Sequence, residues 1–248
     1  MPKAIELMKK REKELLVAVK MLSDGTEGFT NPKLILIGGY ALRAFIPFSR
    51  FTRDCDFIVR KKDGWHLDKL KLILPKDYSI EAEERHKSYG FMRWVKYVRY
   101  NETRVKVSLD FMEGEIRGRK PEEVILIDEA MVEKSEPARI PIANEEVKFF
   151  VPSYVDYFIM KVVSSRASDI RDIASLVLEK GVPRGAMERA KEILLHPEVF
   201  KNKLEEKVLP EIRRETFLDS WRGMFATRSY TNDDKEEVME RLKELIAS

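Results

Sequence analysis

Strand-like alternation stops at Pro152 of this chain and does not return. Before that point, apolar and polar residues alternate in short runs such as "GFMRWVKYVRY", "TRVKVSLDF" and "ARIPIANEEVKFFVP". A period of two marks strands that lay one face on a core. After it, apolar residues recur three and four apart, which predicts helices near 152–164, 168–180, 184–194, 202–219 and 233–247. Strands segregated from helices point to an α+β protein. The expected plan is a mixed sheet with flanking helices over residues 1–151, followed by a helical domain over 152–248.

Within the first half, residues 3–22 read as an amphipathic helix with apolar positions Ile5, Met8, Leu15, Leu16, Val19 and Leu22. Leu34–Ile37 reads as a short buried strand, then a Gly38-Gly39 turn, then a helix from Tyr40 to Phe45 stopped by Pro47. Asp54–Val59 is the next strand, and Trp65–Leu74 a helix closed by Pro75. "YSIEAEE" reads as a strand, and the two long alternating runs as a hairpin about Asn101-Glu102. Residues 124–150 read as short strands, the last two joined at an Ala-Asn turn.

Composition narrows the setting. Lys and Arg number 46 against 43 Asp and Glu, a dense and nearly balanced surface of the kind found on thermophile proteins. A net charge of +3 does not by itself announce a nucleic-acid binder, although local basic patches remain open. One cysteine excludes an intrachain disulfide and fits a reducing cytosol. The charged N-terminal helix is unlike a secretory signal, and no apolar run reaches the ~18–20 residues of a membrane span. The expectation is a cytoplasmic protein with no membrane partner.

Inside "DCDFIV" the side chains of Asp54 and Asp56 share one strand face, while Cys55, Phe57 and Val59 share the other. In "RVKVSLDF" the apolar face is Val105, Val107, Leu109 and Phe111, and Asp110 lies opposite. If the two strands are neighbours, Asp110 joins Asp54 and Asp56. Gathered carboxylates repel, and a divalent cation is the usual remedy, Mg²⁺ being held by a few carboxylates plus phosphate oxygens. The glycine turn supplies a complement, because glycine lets backbone approach a phosphate at a helix start. Either motif alone is commonplace. Strand, Gly-Gly, helix, strand with Asp-x-Asp, and a later strand with one Asp together are more specific.

This arrangement resembles the nucleotidyltransferase fold of the DNA polymerase β superfamily. Within it the chain is most similar to AbiEii/AbiGii-type toxin nucleotidyltransferases and archaeal relatives. The stretches that carry the resemblance are "GGYAL", Gly38 to Leu42, and "RFTRDCDF", Arg50 to Phe57. It implies that Gly38, Gly39 and Arg50 bind the nucleotide. It also implies that Asp54, Asp56 and Asp110 hold Mg²⁺ or Mn²⁺, with Asp110 assisting deprotonation of an acceptor. A looser match in "MKVVSSRASDIRDIASL" implies that Lys161 touches the triphosphate and that Asp172, with Asp169, orients Lys161 or a nucleotide hydroxyl. Ser168 stands where the family carries a basic residue.

The resemblance thus implies transfer of an NMP from an NTP to a hydroxyl of RNA, protein or a small molecule, and an antitoxin as a partner. A nucleotide-binding regulator on the same fold is the alternative. A glycosyltransferase using Asp-x-Asp would want a longer domain before the motif. Cys55 reads as an inert core residue, and Trp65, Trp94 and Trp221 as packing. His66, His86 and His196 show no ligand spacing. Arg43 and Arg53 fit either phosphate contacts or salt bridges.

Overall fold

The computed structural model describes residues 2–47, 50–62 and 64–247. In chain order its elements begin with α1 (Pro2–Gly25), β1 (Ile35–Ile37), α2 (Gly38–Ala41), β2 (Asp54–Val59) and α3 (His66–Leu72). The long strands follow: β3 (Ser79–Arg85), β4 (Gly90–Tyr100) and β5 (Thr103–Glu113). Two three-residue strands, β6 (Glu115–Arg117) and β7 (Val124–Leu126), precede α4 (Glu129–Glu133), β8 (Glu136–Ile142) and β9 (Glu145–Val151). Everything after is helical: α5 (Tyr154–Ser164), α6 (Ala167–Lys180), α7 (Ala186–Ile193), α8 (Glu198–Lys203), α9 (Leu209–Arg213), α10 (Phe217–Phe225) and α11 (Asn232–Ala247). Among the described residues no helix is long and apolar enough to cross a membrane.

The protein is α+β, as the segregation of patterns predicts. Its chain divides into two compact units, and the division is not a single cut. The first holds Met1–Ala44, Phe51–Ile116 and Ile127–Pro152; the second holds Phe45–Arg50, Arg117–Leu126 and Ser153–Ser248.

The first unit is built on a seven-stranded mixed sheet in the order β3-β4-β5-β2-β1-β9-β8. β2 runs parallel to β5 and antiparallel to β1, and β1 runs parallel to β9. The β4–β5 pair is the hairpin expected from the sequence. Its turn puts Asn101 at φ 51°, a conformation asparagine tolerates better than most residues. The β8–β9 hairpin turns at Ala143 and Asn144, both at positive φ, 50° and 69°. That is the backbone of the two-residue turn whose twist suits a hairpin.

One face of the sheet is set by aromatic packing. Phe57 of β2 stacks on Phe111 of β5 at 5.6 Å, and Phe111 meets Trp94 of β4 at 4.7 Å. Phe29, from the loop before β1, bridges Phe57 and Phe149 at 5.9 and 5.0 Å. All five rings are buried. Helix α1 lays Leu15, Leu16, Ala18, Val19 and Leu22 into the core. Cys55 is fully buried, and burial pushes its thiol well above the usual range, as suits an inert core residue.

Two expected helices differ. The helix after β1 is shorter than expected: it begins at Gly38 itself, runs four residues, and continues only as a 3₁₀ turn over Leu42–Ala44. The helix expected over 202–219 is broken. Pro210 has no N–H for the carbonyl four residues back, and its ring crowds that carbonyl. The chain widens into a π-type turn at Leu204–Val208, resumes as α9, and turns extended at Arg214 before α10. Helix α4 falls where short strands were expected; Asp128 caps it by accepting from Met131 N at 2.8 Å.

In the second unit, Trp221 donates its indole N–H to Ser175 Oγ at 2.8 Å and stacks on Tyr230 at 4.0 Å. Phe158 and Phe200 meet edge to face at 6.3 Å. Trp94 and Trp221 are therefore packing residues, as the sequence suggests. Replacing Phe111 by Ala deletes the ring shared by Phe57 and Trp94 and is expected to cost about 3–5 kcal/mol. The midpoint of urea unfolding of the purified protein measures it.

Candidate active site

The strand register assembles the first part of the site. Asp56 of β2 lies beside Asp110 of β5, and Asp110 lies opposite Arg93 of β4. On each strand the next residue is an aromatic of the packed face (Phe57, Phe111, Trp94), so these three polar side chains share the opposite face. On the other side Asp56 pairs with Ile37, the last residue of β1, and Gly38 follows.

Gly38 takes φ +69°. A Cβ there would lie 2.1 Å from Asp56 Oδ2. At Gly39 a Cβ would lie 2.6 Å from Thr52 Oγ1. The glycine pair thus has a packing reason: it leaves room for the acidic strand and the segment before it. Asp56 is half-buried, whereas Asp54 is exposed at the strand's start. Ser108, its neighbour on β5, donates to Asp54 Oδ1 at 2.6 Å.

Asp110 is differently placed from the role expected of it. It is 6 % exposed, and both its oxygens are taken. Arg93 Nε donates to Oδ1 at 2.7 Å, and Arg93 Nη2 donates to Oδ2. The hydrogen bond to Asp110, against the cost of burial, holds the guanidinium firmly protonated. Among the described residues no group of three or more acidic, histidine or cysteine side chains is arranged to hold a metal. The hard oxygen donors of Asp54 and Asp56 suit Mg²⁺ or Mn²⁺, which needs only one or two carboxylates when phosphate supplies the rest. Asp110, as a third ligand, does not fit while Arg93 occupies it.

A cavity of ≈ 260 Å³ opens beside Asp54, lined by Arg11, Arg53, Asp54, Arg93, Lys106 and Ser108. Four cations and one carboxylate line it, and two of the cations are already paired, Arg93 with Asp110 and Lys106 with Glu81. Arg11 donates Nε to the Lys106 carbonyl at 3.0 Å, and burial together with the charge of Arg53 pushes its pKa down. Crowded cations of this kind favour an anion. Arg43, by contrast, pairs with Glu12 of α1 at 2.7 Å and lies over the Tyr40 ring.

The residues expected from the looser match form a network within the second unit. Lys161 of α5 is 4 % exposed and donates to Asp169 Oδ1 at 2.9 Å and Asp172 Oδ2 at 2.8 Å. Arg50 grips Asp172 through Nε and Nη2 at 2.6 and 2.7 Å. Asp169 also accepts from Ser164 Oγ and from the Arg166 N–H at the start of α6. Two cations and two carboxylates leave these four side chains neutral. Burial opposes the Lys161 ammonium, but the carboxylates of Asp172 and Asp169 outweigh it and raise its pKa. Burial likewise opposes the Asp169 carboxylate, and Lys161 more than compensates, lowering its pKa. Asp169 and Asp172 thus both accept hydrogen bonds from the Lys161 ammonium.

Arg53, one of the two arginines that fit either phosphate contacts or salt bridges, lines this cavity. The residue the motifs did not single out is Arg93, and its place was readable: it stands as far before Asn101 as Asp110 stands after Glu102, so a tight hairpin must pair them. Of the histidines, His66 engages the buried Glu113, whose carboxylate also accepts from the backbone N–H groups of His66 and Leu67. This fixes the start of α3.

With this geometry in place, comparison adds a family. Residues 21–243 match the model of a family described as nucleotidyl transferase AbiEii toxin, type IV TA system. The chain belongs to the AbiEii family. AbiEii proteins are nucleotidyltransferases, so this protein is a transferase whose general chemistry is nucleotidyl transfer. Several solved structures resemble it, among them the following two. A presumed nucleotidyltransferase from H. pylori matches at 14% identity and TM-score 0.48, covering 93% of each chain. JHP933 from Helicobacter pylori matches at 15% identity and TM-score 0.47, covering 94% of this chain and 91% of that one. No curated protein matches the sequence.

Two tests follow from the geometry. Gly38→Ala is expected to destabilise by about 1–2 kcal/mol, because L-residues resist this backbone and the Asp56 carboxylate must swing away; chemical denaturation reads the loss. The Asp169 pKa is lowered on folding, so its stabilisation is present above the unfolded value and fades as pH falls below about 4. Stability measured from neutral pH down to pH 2 is expected to fall less steeply in Asp169→Asn than in the unaltered protein.

Proposed function

We propose that this AbiEii-family protein moves an NMP from an NTP to a hydroxyl acceptor, using Asp54 and Asp56 to hold Mg²⁺ or Mn²⁺. The observation that carries the reading is the placement of Asp56 beside the Gly38 backbone, with Asp54 two residues before it on the same strand face, away from the aromatic core. Gly38 and Gly39 bring backbone close to the acids, where a triphosphate tail would lie. The divalent cation, when bound, supplies neutralisation of the phosphate oxygens during in-line displacement. The chain's own part is mainly to position the nucleotide and acceptor.

The cations of the cavity beside Asp54 favour an acceptor that itself carries phosphate, such as RNA, over a neutral small molecule or a protein hydroxyl. In this reading residues 1–151 carry the transfer site, and 152–248 form a helical domain. Arg50, Lys161 and Asp172 serve the packing of that helical half rather than the nucleotide. The toxin and type IV TA description of the family supports a cytoplasmic setting with an antitoxin as partner.

A second reading, a regulator that holds nucleotide without turnover, is favoured by one observation: Arg93 already occupies Asp110. Incubation with each α-labelled NTP, Mg²⁺ and total cellular RNA or protein separates the two. Labelled RNA is expected, with activity falling at least about 100-fold in Asp54→Asn and Asp56→Asn, equivalent to about 2.7 kcal/mol of lost transition-state stabilisation. Nucleotide binding without labelled product would select the regulator. Equal turnover by Asp56→Asn would exclude the metal role.

A further inference from the structure

We propose that Arg93 stands in for a second metal ion at Asp110, so that the site takes one divalent cation on Asp54 and Asp56 rather than two ions across three carboxylates. The inference rests on the reading of Asp54 and Asp56 as the metal ligands and adds to it the number of ions and the source of the remaining positive charge.

The pair is built into the fold. Arg93 and Asp110 face each other directly across the β4–β5 ladder, and Trp94 and Phe111, their chain neighbours, lock both strands from the opposite face. The guanidinium meets the carboxylate through two parallel N–H donors, the geometry in which arginine binds a carboxylate most firmly. Asp110 is buried, so releasing Arg93 would strand a carboxylate away from water.

Charge points the same way. Arg93 already neutralises Asp110, so a second ion at that carboxylate would add positive charge where none is left to cancel. A second ion would place two metals beside Arg93 and close to the cations of the cavity. Arg93 also lines that cavity together with Asp54, so its charge lies where a phosphate of nucleotide or acceptor would enter. Glu81 approaches Arg93 Nη1 at 3.9 Å from the neighbouring strand β3. Arg93 thus joins the acid line to the basic cavity, doing with a fixed side chain what a second ion would do.

The test counts bound Mn²⁺ on the full-length protein by the electron paramagnetic resonance of the free ion. One Mn²⁺ per chain is expected. Asp54→Asn and Asp56→Asn are expected to weaken it more than about tenfold. The double variant Arg93→Gln with Asp110→Asn removes both charges of the pair at once and is expected to keep one ion within about threefold of the starting affinity. Arg93→Gln alone frees Asp110 and is expected to tighten Mn²⁺ by about tenfold or to add a second ion. Arg93→Lys, which retains the charge, is expected to keep one ion.

Two Mn²⁺ per unaltered chain overturn the proposal and leave the metal reading standing. The same holds if the double variant binds more than about tenfold more weakly, or if Arg93→Gln matches the unaltered protein. Absence of Mn²⁺ binding, or Asp54→Asn and Asp56→Asn binding as well as the unaltered protein, overturns both.

Discussion

The site depends on a stack of buried rings. Phe57 on Phe111, with Trp94 and Phe149 around them, fixes which face of β2, β4 and β5 looks inward. Because side chains alternate, a slip of one residue in any of these strands would turn its aromatic outward and its polar partner into the core. The cost would be several kcal/mol for a single ring. The polar line Arg93, Asp110, Asp56 is therefore held in register by the hydrophobic side of the sheet. That line places an aspartate two residues into β2 against a glycine backbone, and a second aspartate against an arginine.

The two charge clusters solve the same problem in different ways. In the helical unit, Arg50, Lys161, Asp169 and Asp172 balance among themselves, Arg50 half-buried and the other three buried, each hydrogen-bonded to another. A neutral, satisfied cluster of this kind resists loss of any one member, because the survivor is left charged and dry. In the sheet unit the balance is incomplete. Arg93 settles Asp110 and Lys106 pairs with Glu81, but Asp54 stays exposed at a cavity that Arg11 and Arg53 also line. Unbalanced charge next to open space is where a ligand gains most from binding.

Much of this was legible in the sequence. The hairpins, the shared face of Asp54 and Asp56, and the meeting of Asp56 with Asp110 follow from a period of two and from neighbouring strands. The helical half follows from its apolar spacing. What was not legible has physical causes. The break near Pro210 depends on how a helix accommodates one missing N–H, which propensity alone does not settle. The place of Lys161 in "MKVVSSRASD" looks alike whether the ammonium reaches a phosphate or two carboxylates; burial decides, and burial is a property of the packed chain. Arg93 is the instructive case. The turn at Asn101-Glu102 already paired it with Asp110, yet a search by motif attends to acids and passes over the cation that neutralises them.

The glycines carry the last step. A glycine pair before a helix is usually read as a phosphate cradle, but α2 is four residues long and offers little of the dipole that a long helix would. The space at Gly38 and Gly39 is taken by Asp56 and Thr52. Their immediate effect is to let the acidic strand press against the end of β1, which holds Asp56 at the mouth of the sheet. In the proposed reading, a phosphate arriving there would meet bare backbone only because the carboxylate had first to fit. The requirement for glycine and the requirement for Asp56 are thus one constraint, imposed by strand packing before any nucleotide binds.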